Sequence, residues 1–101
     1  MASTIWEKTS QSLGTVKVGR KQFVVFNATS EIPQIIKMSA SCGCTTPELD
    51  KAHNRIVATF TPGAVPKHLA SQGFYGTTKS ITIYYVDGTT DVLSFTATIT
   101  N

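Results

Sequence analysis

A two-layer β-sandwich is the fold this 101-residue chain predicts, and three observations point to it. Apolar and polar residues alternate with a period of two through most of the sequence, the spacing of a strand with one dry face. The alternating runs are short and are separated at regular intervals by turn residues. Threonine and serine fill the polar positions, and the branched Cβ of threonine suits a pleated surface. A chain of this length forms one domain.

The elements follow in order. Residues 1–13 are polar, with Ile5, Trp6 and Leu13 interspersed, and read as an N-terminal arm or an edge strand ahead of a sandwich over 14–101. Thr15 to Val18 alternates briefly and stops at Gly19. Phe23 to Phe26 is apolar on both faces, as in a central strand. Ile36, Met38, Ala40 and Cys42 share one face of an extended stretch, with Lys37, Ser39 and Ser41 on the other. Ile56, Ala58 and Phe60 mark a strand that Pro62-Gly63 ends. Residues 62–77 make the longest connection: Pro66 to Gly73 predicts one or two helical turns, with proline at the start and glycine past the end. Phe74 and Tyr75 then stand between glycines in a loop. Finally Ile81, Ile83 and Tyr85, and Leu93, Phe95, Ala97 and Ile99, flank Asp87-Gly88, which predicts a hairpin of strands 78–86 and 91–100.

Composition excludes several classes. Hydrophobic residues make up 41% and charged residues 15%, which rules out a disordered tail. The net charge of +3 is mild, and only Lys17, Arg20 and Lys21 lie close together, so no concentrated basic face for nucleic acid is expected. No apolar run approaches the roughly 18 residues of a membrane helix. The start, Met1 to Lys8, lacks the basic-then-apolar pattern of a signal peptide, so use without export, or removal of a leader, is expected.

Cys42 and Cys44, the only cysteines, sit in Ser41-Cys42-Gly43-Cys44-Thr45-Thr46-Pro47. Four readings stand side by side. In an extended chain their Cα atoms lie at the upper limit for a disulfide, and a tight turn at Gly43 is needed to close one. Zinc needs about four ligands; His53 and His68 complete the number but not a familiar spacing. A nucleophilic thiol needs a base and an orienting partner, and His53 in its turn is a poor candidate. The preferred reading makes Cys42 a small core residue and places Cys44 at a strand end or turn.

The order of these segments resembles a bacterial family of unknown function. The resemblance rests on Phe23-Val24-Val25-Phe26-Asn27, on Ile32-Pro33 leading Gln34 to Met38, on Ser41-Cys42-Gly43-Cys44-Thr45, on Ile56 to Phe60, and on Gly76 with Lys79, Ile81 and Ile83. That family is similar to immunoglobulin-like domains of the ASH/MSP/HYDIN type. The resemblance covers about residues 14–100, makes Cys42, Gly43, Cys44 and Thr45 its signature, and implies an immunoglobulin-like sandwich of about six to eight strands without catalytic activity. Two features depart from the family pattern. Glu48 to Asn54 replaces a Pro-Gly-Glu turn, and the segment after Phe60 is longer.

For function, the sequence has no phosphate loop, no nucleophile elbow and no paired His ligands, so no enzyme activity, cofactor or metal is expected. Glu48 and Asp50 read as a surface turn. An interaction protein fits better. The leading expectation is a bacteriophage virion component, such as a capsid decoration protein located in the virion. It would contact capsid subunits, and possibly itself, through Trp6, Phe74 and Tyr75. A bacterial binding module for a protein or cell-surface partner is the alternative, cytoplasmic or exported. A metal or redox role for the Cys-Gly-Cys element is the third reading. No nucleic acid or membrane partner is expected.

Overall fold

The computed structural model describes residues 5–101. Part of the predicted arm, residues 1–4, lies outside the described residues. Seven strands build two sheets. β1 (Ser10–Lys17), β7 (Thr90–Thr100), β6 (Phe74–Tyr85) and β3 (Ile35–Ala40) lie in that order in one sheet. β2 (Gln22–Asn27), β5 (Arg55–Phe60) and β4 (Thr45–Asp50) make the other. The two sheets form an immunoglobulin-like sandwich, with β3-β6-β7 facing β2-β5-β4 and β1 added to the larger sheet beside β7. The N-terminal segment serves both sheets. Trp6 bridges to Ala28 on the margin of the smaller sheet, and β1 then crosses over to run parallel to β7.

The alternation read from sequence sets the core. Ile81, Ile83 and Tyr85 of β6, and Leu93, Phe95, Ala97 and Ile99 of β7, are buried, as are Ile56, Ala58 and Phe60 of β5. The Phe60 and Phe95 rings meet edge-to-face across the two sheets, 5.2 Å between centroids. The β6–β7 connection is a tight turn in which Gly88, at φ +89°, donates its amide to the Tyr85 carbonyl. Asp87 braces it by accepting from the Thr89 amide and hydroxyl, bonds that hold the Asp87 carboxyl below its usual range. β6 and β7 run 12 and 11 residues, which stretches the molecule to 47 × 23 × 21 Å.

Several expectations are corrected. Ile36 does not share the core face with Met38, because the β3–β6 register shifts between Ile35 and Lys37; Ile35 packs on the core and Ile36 is exposed. Such a bulge turns one residue of the pair outward. Phe23 likewise faces solvent, because Val24 and Phe26 take the core face of β2 and the outer face of its sheet is open. β1 continues through residues 13 and 14, where Gly14 at φ +71° takes up a register shift, so Leu13 points inward and Thr15 outward. The expected turn at Glu48–Asp50 is a strand. The Thr61 amide donates to the Cys44 carbonyl, and alternation from there turns the backbone of Pro47 away from β5. On that free edge the missing proline N–H costs nothing.

One polar cluster ties the first strand crossing to the β6–β7 hairpin. Asp91 Oδ2 accepts from Trp6 Nε1–H at 2.9 Å and from the Tyr85 hydroxyl at 2.6 Å. Burial, and after it the Asp91 carboxylate, pushes the Tyr85 phenol well above the ordinary tyrosine range. A raised folded pKa means the fold prefers the neutral phenol. Its stabilising contribution is therefore complete below about pH 10, the unfolded value, and is lost as pH rises toward the folded one. Urea midpoints followed from pH 8 to 11.5 are expected to fall above pH 10 in the native sequence and to fall less in Tyr85→Phe.

Candidate binding groove and cysteine turn

The expected contact residues separate in the structure. Trp6 is 6% exposed and packs in the core of its own sandwich, so it is not available to a neighbour. Its indole needed both an apolar bed and an acceptor for its N–H, and the sandwich end at Asp91 supplies them. Phe74 and Tyr75 open β6 and do not form a loop. Phe74 remains 46% exposed on the outer face, whereas Tyr75 turns inward and donates its hydroxyl to the Gly63 carbonyl. The two aromatics therefore lie on opposite faces of one strand and do not form a joint contact. The helical turn expected over 66–73 is a short 3-10 turn, Lys67–Leu69, and Gly73 at φ +79° closes its end by donating its amide to the Leu69 carbonyl.

Cys42 and Cys44 form a disulfide, with Cα atoms 5.3 Å apart. This corrects the reading of Cys42 as a free core residue. The β3–β4 connection turns tightly at Gly43, and both half-buried sulfurs meet there. The Cys44 amide donates to Cys42 Sγ at 3.2 Å. The Thr45 hydroxyl lies 3.7 Å from Cys44 Sγ and 4.0 Å from Cys42 Sγ, and Thr45 is itself buried. Among the described residues no cluster of three or more His, Cys, Asp or Glu residues is placed to hold a metal ion. His53 and His68 are exposed at other turns; His53 sits 2.9 Å from the Asp50 carboxylate, which Arg55 also binds at 2.8 Å. Burial raises the Asp50 pKa, but the bonds from Arg55 and His53 outweigh it and hold the carboxyl below its usual range.

As a staple this disulfide does little. Closing a loop of three residues removes about 1.5 kcal/mol of unfolded-chain entropy, against about 4 kcal/mol for a bridge across the two sheets that closes a loop of roughly 60 residues.

At the opposite end of β4 the fold builds a groove. The β2–β3 connection, residues 28–34, and the turn after β4 enclose an open space of about 700 Å³ lined by Ile32, Pro33, Ile35, Leu49, Lys51 and their neighbours. Asn54 is its keystone. It adopts the left-handed conformation at φ +50°, which asparagine tolerates better than most residues. Its side chain donates from Nδ2 to the Ser30 carbonyl at 2.8 Å and accepts at Oδ1 from the Ile32 amide at 3.1 Å. Its carbonyl accepts from the Ala28 amide. A loop that otherwise makes few strand contacts is thereby held open. Sequence reading passed over this groove. The pointers were present in the long turn-rich run Asn27 to Pro33 and in the Ala52-His53-Asn54 turn, but nothing in a linear sequence joins them.

Residues 4–99 match a family model described as a protein of unknown function, DUF1573. No curated protein matches. Among solved structures, a mutant of the SrpA adhesin from Streptococcus sanguinis is similar at 12% identity with a TM-score of 0.49. The alignment covers 85% of this chain and 54% of that one, so the chain spans about half the length of the adhesin structure. Among the described residues no helix is long and apolar enough to cross a membrane.

Two outcomes follow from the geometry. Asn54→Gly keeps the left-handed turn but deletes both side-chain anchors, and is expected to raise hydrogen exchange at the Ile32 amide by about tenfold, the equivalent of ~1.4 kcal/mol, with core amides such as Ile83 unchanged. The double variant Cys42→Ser, Cys44→Ser is expected to fold with a stability loss near 1.5 kcal/mol, measured by urea titration.

Proposed function

We propose, for a chain that belongs to the DUF1573 family of unknown function, that it is a non-enzymatic binding domain. It docks an extended segment of a partner protein in the groove between residues 28–35 and the Asn54 turn. One observation carries this reading: the groove wall is fixed before any ligand arrives, by the three bonds that Asn54 makes to residues 28, 30 and 32. A pre-formed concavity with apolar lining and a few polar groups is the usual form of a recognition site, because little ordering entropy is left to lose on binding. Alternation along β4 also turns the Leu49 backbone toward its free edge, so an extended guest has an N–H and a carbonyl to pair with beside the groove.

Virion decoration is a narrower form of this reading. Of the three aromatic contacts expected for that role, Trp6 lies in the core and Phe74 stays exposed. Kinship with ASH/MSP/HYDIN-type domains is likewise part of the proposal; the two-sheet strand order is compatible with it.

The test is a displayed library of random peptides selected on the purified chain. Selected peptides are expected to shift amide resonances of residues 28–35 and 49–54, and Leu49→Arg is expected to weaken them by about tenfold or more, ~1.4 kcal/mol. Shifts confined to the outer face of the four-stranded sheet, or undiminished affinity in Leu49→Arg, would sink the proposal.

A further inference from the structure

We infer that Cys42–Cys44 is a thiol–disulfide exchange site, served by a cationic pole that recruits thiols bearing carboxylates. This inference is independent of the groove, which lies at the other end of β4.

The first support is the contrast between position and mechanical use. The bridge spans two residues in sequence, so it constrains the chain little, yet it sits in a turn with both sulfurs only half-buried. Access and a local loop suit exchange better than stapling. The second support is the neighbourhood. The Cys44 amide points at Cys42 Sγ, the donor a thiolate at Cys42 would need. The β3–β6 register pairs Ala40 with Ile81, and the Ser41 amide bonds the Ser80 carbonyl, which brings Lys79 to the end of β3 that Cys42 follows. Lys79 is half-buried, follows the inward-facing alternation of β6, and makes no ion pair among the described residues. An ammonium group beside a cysteine favours the thiolate.

The third support is charge sorting along the molecule. Arg20 and Lys21 precede β2, whose Gln22 lies across Phe60 from Thr45, and Lys67 is in the loop that leaves from Phe60, so these cations belong to the end of the smaller sheet that holds the disulfide. None has an ion-pair partner among the described residues. No Asp or Glu among the described residues lies there. The six acidic residues stand along β4 or toward the groove end: Glu7 beside Asn27, Glu31 in the β2–β3 connection, Glu48 and Asp50 on β4, Asp87 and Asp91 at the β6–β7 turn.

The step balances with a small thiol as co-reactant. Its thiolate attacks Cys42 Sγ, a new S–S bond forms, and the Cys42–Cys44 bond breaks with the electron pair leaving on Cys44 as thiolate. A second thiolate attacks the outer sulfur of the mixed disulfide, and Cys42 leaves as thiolate. Two thiols become one disulfide, losing two electrons and two protons, and the protein disulfide becomes two thiols. Cys42 is the sulfur attacked, and Cys44, which packs against the core, is the first thiolate to leave.

The test compares 3-mercaptopropionate, which is anionic, with neutral 2-mercaptoethanol on the oxidised full chain. The anionic thiol is expected to react about tenfold faster per thiolate at low salt, with the advantage lost at 0.5 M salt or in Lys79→Gln. Arg20→Gln with Lys21→Gln is expected to halve the advantage or more, and tests the pole if Lys79→Gln fails to fold. Cys44→Ser treated with the symmetric disulfide of 3-mercaptopropionate is expected to hold a mixed disulfide at Cys42, read by peptide mass, with one mercaptopropionate released as thiolate. A disulfide inert to both thiols, an advantage indifferent to salt and to these lysines, or trapping on Cys44 in Cys42→Ser but not on Cys42 would each overturn the inference.

Discussion

The pairing of β6 with β7 is the constraint on which the other elements depend. Eleven consecutive register pairs run from Phe74 opposite Thr100 to Tyr84 opposite Thr90. A slip of one residue would turn the buried set of one strand outward, either Ile81, Ile83 and Tyr85 or Leu93, Phe95 and Ile99, because side chains alternate faces. Gly88 and the Asp87 brace fix the register at the turn, so local chemistry and core burial specify the same arrangement. β1 and β3 add to the two sides of this ribbon, and β5 packs across it through Phe60. The ribbon also overshoots the smaller sheet, which is why the loop of residues 61–73 folds back along its inner face, with Tyr75 bonded to Gly63 and the Gly19 amide bonded to Pro62.

Trp6, Tyr85 and Asp91 perform a second kind of specification. An immunoglobulin-like sandwich must send its first segment to one sheet and its first long strand to the other. A single carboxylate oxygen that accepts from an indole on the crossing segment and a phenol on β6 marks where that crossing occurs. The polar cluster sits at the sandwich end, where partial solvation lowers the cost of holding a charge.

Much of this was legible in the sequence, and the failures have physical causes. The β6 and β7 faces and the Asp87-Gly88 turn were read directly because each strand has one wet face and the turn needs a residue at positive φ. β4 was missed because proline and two acidic residues look like a turn; only its place at a sheet edge makes Thr45-Thr46-Pro47-Glu48-Leu49-Asp50 tolerable as a strand. Ile36 was given the wrong face, and the strand starting at Thr15 begins earlier, at Ser10, because periodicity alone cannot reveal bulges. Trp6 stands alone in a polar stretch and so carries no period. The cysteine pair was visible, but its bridge depended on how sharply the chain turns at Gly43. The groove and the sorted charges were illegible for a shared reason: Asn54 and Ser30, or Lys21 and Cys44, are brought to one end of the fold only by the topology.

Pro47 has one further consequence. It leaves β4 with an interrupted margin: beyond Leu49, the next residue facing that side offers a carbonyl and no donor. A guest strand laid along this margin can form a rung at Leu49 but meets a pyrrolidine ring one rung later. The margin therefore acts as a ruler. For the docking we propose, it limits main-chain pairing to a very short segment and leaves most of the binding energy to side chains in the groove; the same ring keeps the edge from templating the open-ended strand stacking that leads to fibres.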